Sequence, residues 1–140
     1  MAAEDLAKKF IDALGRLEAE RDLETITSLF GEDCEIGNVV TENKDKKISP
    51  REFWQSYRDS FGEIKSTFRN EIVAGNTAAL EWQSEGTNSE GKPFEYDGVS
   101  ILEFGANGDK ISRFHAYFDP SRLGRQIVDE KSKEASGGNG

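Results

Sequence analysis

A single α+β domain is the fold class that this sequence predicts, with helices first and a curved antiparallel sheet wrapped around them. Three observations predict it. Apolar residues recur at spacings of three and four from Leu6 to Phe61. Beyond Gly62 the period drops to about two, in segments separated by Gly- and Asn-containing turns. The chain has 140 residues, a size that suits one domain and buries roughly two-thirds of the unfolded surface. Helices followed by consecutive hairpins place the helices on one face of the sheet. With 9 Phe, 3 Tyr and 2 Trp to hide, that sheet must curl into a cone.

Leu6, Phe10, Ala13, Leu14 and Leu17 form one stripe of an amphipathic helix over about residues 3–20. Asp22 is an N-cap signal for a second, short helix carrying Leu23, Ile26, Leu29 and Phe30 and ending near Gly31. Cys34 to Val40 has strand character, weakened by Gly37, and the charged run Asn43 to Lys47 is a turn or loop. Ser49-Pro50-Arg51-Glu52 opens a third helix: Ser at N-cap, Pro at the first helical position, Glu at N3. Phe53, Trp54, Tyr57 and Phe61 follow as an aromatic stripe that stops at Gly62. Strands are then predicted over 64–74, 77–86, 95–104 and 111–118, with turns at Gly75-Asn76, 88–92 and 105–109. Pro120 breaks the last strand, and 121–131 can form a closing helix with Leu123, Ile127 and Val128 inward. The domain is thus expected over 1–131, with 132–140 a disordered tail.

The formal charge of -9 and pI near 4.7 argue against nucleic acid or an anionic bilayer as partner. Lys44, Lys46 and Lys47 form a basic cluster that Glu42 and Asp45 interrupt. The single cysteine, Cys34, rules out an internal disulfide and reads as a small buried hydrophobe. No signal-peptide pattern opens the chain and no apolar run approaches the ~20 residues of a membrane span, so a cytoplasmic location is expected. One His and one Cys, without carboxylates spaced to either, make no metal constellation. No cofactor is expected.

The segment KKFIDALGRLEAERDLETITSLFGEDCEI resembles the opening of the nuclear transport factor 2-like superfamily, a helix, a polar break and a helix ending Leu-Phe before an acidic turn. GDKISRFHAYFDPSRL resembles the closing strand of its SnoaL-like branch. Order and spacing between them also fit, so the resemblance covers about residues 3–130. It implies the cone-shaped fold, and a superfamily of ketosteroid isomerases, polyketide cyclases, epoxide hydrolases, dehydratases and members that only bind. Fold does not choose among these; pocket residues must.

Strands alternate faces, so Phe114, Ala116 and Phe118 share one face and Arg113, His115, Tyr117 and Asp119 the other. The apolar set is assigned to the core. The resemblance implies that the family's catalytic carboxylate on this strand falls where Ala116 stands. Likewise, the Arg and Asp of the epoxide hydrolases match Trp82 and Ser84, and the isomerases' helix-one tyrosine matches Phe10. Their general-base aspartate aligns with Asn38, so the paired carboxyls of that branch are missing. Asn38 is either a residue that orients a carbonyl or a water, or a turn or capping Asn. His115 is either a general base paired with Asp119, or a histidine of the outer sheet face. Phe10, Trp54, Tyr57, Trp82, Ser84, Phe114, Ala116 and Phe118 are the expected pocket lining. Tyr96 is a further candidate, because large polar-tipped rings in a small domain need partners for their polar ends.

Three functions stay open. The chain either binds a small hydrophobic ligand, or acts as a cofactor-free isomerase, cyclase or dehydratase on a hydrophobic carbonyl compound through Asn38 and His115 or a carboxyl, or serves as an interaction module. The resemblance also implies a homodimer through the sheet.

Overall fold

A computed structural model describes residues 2–39, 48–105 and 110–119. Helix α1 (Ala2–Glu20) presents Leu6, Phe10, Ala13, Leu14 and Leu17 as its buried face. It closes at Arg21, which adopts the left-handed region at φ 58. Asp22 then caps α2 (Leu23–Thr27), its carboxylate accepting from the Thr25 amide and hydroxyl. Helix α3 (Pro50–Asp59) starts with a reciprocal capping box between Ser49 and Glu52 and Pro at its first turn.

The five strands are β1 (Phe30–Asn38), β2 (Phe61–Ala74), β3 (Thr77–Asn88), β4 (Pro93–Phe104) and β5 (Ile111–Phe118). They form one curved, unclosed sheet in the order β1-β5-β4-β3-β2. β2 to β5 are a meander of antiparallel neighbours. β1 departs from the antiparallel expectation, since it joins the edge parallel to β5. No hairpin links these two strands, so their direction is not tied to antiparallel pairing.

Two helix-to-strand boundaries also differ from the sequence expectation, and β3 and β4 run two residues further toward their shared turn. Phe30 opens β1 instead of ending α2, because the chain enters the sheet where the Ile111 amide donates to the Leu29 carbonyl, at 2.8 Å. Phe61 opens β2 instead of ending α3, pairing with Asn88 and keeping its ring inward through a strand's geometry. The 121–131 helix, the 132–140 tail, the 43–47 loop and most of the 105–109 turn lie outside the described residues.

Even-numbered residues of β3, of β4 and of β5 from Phe114 on face the helices, while a register shift between Glu103 and Phe104 turns Ile111 inward and leaves Ser112 exposed, and the core divides into two clusters. One gathers Phe10, Phe30, Phe53, Trp54 and Phe114 against α1; the other gathers Phe61, Ile64, Trp82, Phe94 and Tyr96. Tyr57, Phe68 and Phe118 pack against both. Gly98 lets Trp82 lie across β4. It pairs with Trp82 in register, and a Cβ there would stand 2.8 Å from the indole and 2.4 Å from the Tyr117 carbonyl oxygen.

Backbone oxygen cannot yield as a flexible side chain can. Gly98→Ala is therefore expected to lower stability by about 2 kcal/mol, the range of overpacked sites, read as a shift in urea midpoint at constant m-value. A midpoint unchanged from the parent would mean that β4 and β5 tolerate separation there.

Candidate functional site

Between the two aromatic clusters lies a cavity of about 360 Å³, within the size range of small-molecule sites. Its walls come from every layer: Phe10 and Leu14 on α1, Trp54 and Tyr57 on α3, and inward residues of all five strands. All eight expected lining residues, Phe10, Trp54, Tyr57, Trp82, Ser84, Phe114, Ala116 and Phe118, are on the wall, and Tyr96 joins them.

Asn38 also lines the cavity, at the end of β1 and paired in register with Ala116. His115 is one residue away along β5 but on the opposite face, its ring 4.5 Å from that of Tyr117. Arg113 shares that outer face and is held by Glu103 at 3.1 Å and Glu35 at 3.7 Å. Asp119 follows the strand and is exposed. The pleat thus separates Asn38 from His115, because successive side chains of a strand leave opposite faces.

The most developed polar structure at the cavity was not anticipated from sequence. Glu18, only 5 % exposed, accepts three hydrogen bonds. Its Oε2 accepts from the Tyr57 hydroxyl at 2.7 Å and the Ser66 hydroxyl at 2.6 Å, and its Oε1 from the Ser66 amide at 2.8 Å. Ser66 in turn contacts the Ser84 hydroxyl at 2.6 Å. Beneath this cluster Arg58 donates to the carbonyls of Glu18, Phe61 and Gly62, at 3.1, 3.0 and 3.3 Å. The first of these is a late carbonyl of α1, so a cation lies where a helix end favours one. Both residues had a sequence signal. Glu18 is four residues after Leu14 and Arg58 four after Trp54, so each continues an apolar stripe with a charge.

Two residues from Ser84 on the same face of β3, Trp82 donates its indole N–H to Ser100 at 2.9 Å. Trp54 Nε1 is buried with no hydrogen-bond partner among the described residues. Burial, with the Glu18 charge next, pushes the Tyr57 phenol well above its ordinary value of 10.0, and the same two causes push Tyr96 up. No group of three or more possible metal ligands occurs among the described residues, and no helix there is long and apolar enough to cross a membrane.

A helix-backed, curved sheet with an aromatic cavity between them defines a class of small α+β domains built around an internal pocket. Within it, this chain belongs to the SnoaL-like domain family, whose model matches residues 7–114. Solved structures agree on the fold. PrhC from Penicillium brasilianum superposes with a TM-score of 0.73 at 17% identity, over 96% of this chain and 91% of that one. TerC, co-crystallised with polyporic acid, gives 0.73 at 17% identity, over 91% and 99%. An LEH-like epoxide hydrolase of M. tuberculosis gives 0.67 at 16% identity, over 91% and 90%. No curated protein matches the chain.

Two outcomes are expected from this cluster. Arg58→Ala strips donors from three carbonyls around a buried group and should cost about 3 kcal/mol in urea unfolding, since each buried polar group left unpaired costs about 1–3 kcal/mol. A loss under about 1 kcal/mol would mean that water replaces the guanidinium. The second concerns alkaline pH. Tyr57 and Tyr96 keep their protons in the folded chain beyond the ordinary value of 10.0, so above that value the unfolded chain binds fewer protons than the folded one. Their contribution is full below pH 10 and lost as pH rises toward the folded values. Tyrosinate absorbance near 295 nm for two of the 3 tyrosines should therefore rise together with loss of far-UV circular dichroism. Two tyrosinates appearing while the fold persists would contradict this.

Proposed function

We propose that this chain binds a flat, largely apolar small molecule in the cavity between its helices and sheet. The observation that carries this reading is a 360 Å³ gap between two aromatic clusters that could otherwise close on each other. Its walls offer ring faces with few polar groups, the pattern of a ligand site. The family includes members that share this fold, and TerC was crystallised with polyporic acid.

Binding is favoured over proton-transfer catalysis by the character of the wall. Among the described lining residues only Tyr57 and Tyr96 titrate, and both are pushed up, away from neutrality. A general acid or base works best with its pKa near the operating pH. The sequence resemblance matches Ala116, Trp82 and Phe10 to positions of reactive groups in the superfamily's enzymes, and none of the three carries a titratable group. A cofactor-free isomerase, cyclase or dehydratase remains the alternative, and turnover of whatever ligand is found would establish it.

Both tryptophans of the chain, Trp54 and Trp82, line the cavity, so intrinsic emission reports on the site alone. Titration with 2-acetylnaphthalene should quench it saturably, and native mass spectrometry of protein purified from its own host should find a retained apolar molecule. Ala116→Leu, which fills the cavity from β5, should weaken the binding at least about tenfold, or ~1.4 kcal/mol. Linear, non-saturating quenching in both proteins would overturn the reading.

A further inference from the structure

The hydrogen-bond network at Glu18 does more than hold the helices to the sheet. A serine or tyrosine hydroxyl has one proton to give. The Tyr57 and Ser66 hydroxyls both give theirs to the Glu18 carboxylate, a charged acceptor being stronger than a neutral one. The short Ser66–Ser84 contact could by itself run either way. With the Ser66 proton committed, it has one direction: Ser84 donates and Ser66 accepts. Three hydroxyls on the cavity wall therefore direct their protons toward Glu18 and can offer a ligand only lone pairs.

Away from that row the wall offers protons instead. Trp54 Nε1–H is buried with no partner among the described residues. Ser100 Oγ already accepts from Trp82, so its own proton is the one it has left to give. Ser84 pairs with Tyr96, and Ser100 lies four residues further along the same face of β4. The acceptor row and the donor row are thus roughly 13 Å apart along the strand. Trp54 packs on Phe114 at 5.2 Å, two residues before Ala116, which pairs with Ser100, and its ring meets that of Tyr57 at 5.6 Å.

We propose that Glu18 sets the hydrogen-bond polarity of this cavity, so that it selects a flat, neutral molecule with a hydroxyl at one end and a carbonyl at the other. The hydroxyl donates to Tyr57 and Ser84; the carbonyl accepts from Trp54 and Ser100. Glu18 acts here as a positioning residue, through the hydroxyls that it orients. The raised Tyr57 pKa agrees, because a phenol that holds its proton against the carboxylate does not release it to a ligand. This inference rests on the small-molecule reading given above.

The test compares three probes by calorimetry: 2-acetylnaphthalene, its 6-hydroxy derivative and its 6-methoxy derivative. The wild-type protein should bind the hydroxy compound about tenfold more tightly than the parent ketone, and the methoxy compound no more tightly than the parent, as expected for one hydrogen bond to a site of fixed polarity. In Glu18→Gln the amide N–H₂ takes the place of Oε2 and donates to Tyr57 and Ser66, whose protons then turn to the cavity. The hydroxy preference should fall to within about twofold and the methoxy compound should gain. Ser84→Ala leaves every bond of Glu18 in place and should lower the preference about threefold. It decides the matter if the Gln variant loses its near-UV circular dichroism. A wild-type preference within about twofold, or one that Glu18→Gln and Ser84→Ala leave unchanged, overturns the polarity assignment while the cavity-binding reading stands. If no probe binds the wild-type protein, the cavity-binding reading fails, and the polarity assignment with it.

Discussion

A carboxylate inside a small domain is costly unless its surroundings supply the donors that water would have given. Glu18 meets that requirement through contacts from three separate elements: Tyr57 from α3, Ser66 from β2, and through it Ser84 from β3. The rest of the molecule is arranged around satisfying this one group. α1 must reach the sheet at its last turn, α3 must turn its third aromatic toward α1, and β2 must bring a serine inward where its neighbours are apolar. Arg58 completes the junction by tying the end of α1 to the start of β2.

That arrangement also explains why the interior does not collapse into one core. The polar cluster holds α1 and α3 at a fixed distance from β2 and β3, while the aromatic stripe from Phe10 to Phe114 packs nearer β1 and β5. Neither cluster can slide toward the other without breaking bonds to the buried carboxylate. The cavity is what remains between them. Its existence thus depends on a charged residue that is not itself part of its lining, and its chemistry depends on the direction in which that residue draws the protons of its neighbours.

The family frame gives this its interest. SnoaL-like domains share a scaffold, and the identity of a few inward side chains separates one chemistry from another. Here the inward positions on β3 and β5 carry Trp82, Ser84 and Ala116, and the polar cluster joins Glu18 and Tyr57 on the helices to Ser66 and Ser84 on the strands. The site is therefore built from different elements than a comparison of strand positions alone would examine.

Much of the fold was legible because it follows from local rules. Period 3.6 followed by period 2, the Ser49–Glu52 capping box, the Asp22 cap and the Gly75-Asn76 turn each act within a few residues, and each appears in the structure. The alternation along Arg113–Asp119 likewise assigns two faces before any partner strand is known. Boundaries at Phe30 and Phe61 were not legible, because pairing with Ile111 and Asn88, distant in the chain, decides them. Nor was the parallel β1–β5 edge, which leaves no turn signature. The polar cluster lay beyond sequence reasoning for the same reason. A charge on an apolar stripe marks Glu18 and Arg58 as unusual, but their neighbours Ser66 and Ser84 lie 48 and 66 positions from Glu18 and carry no pattern of their own. By itself the sequence determined the order of elements and the faces of each, since these depend on neighbours in the chain. Only the tertiary structure decided which inward groups meet, because hydrogen-bond partners across a core are chosen by packing in space.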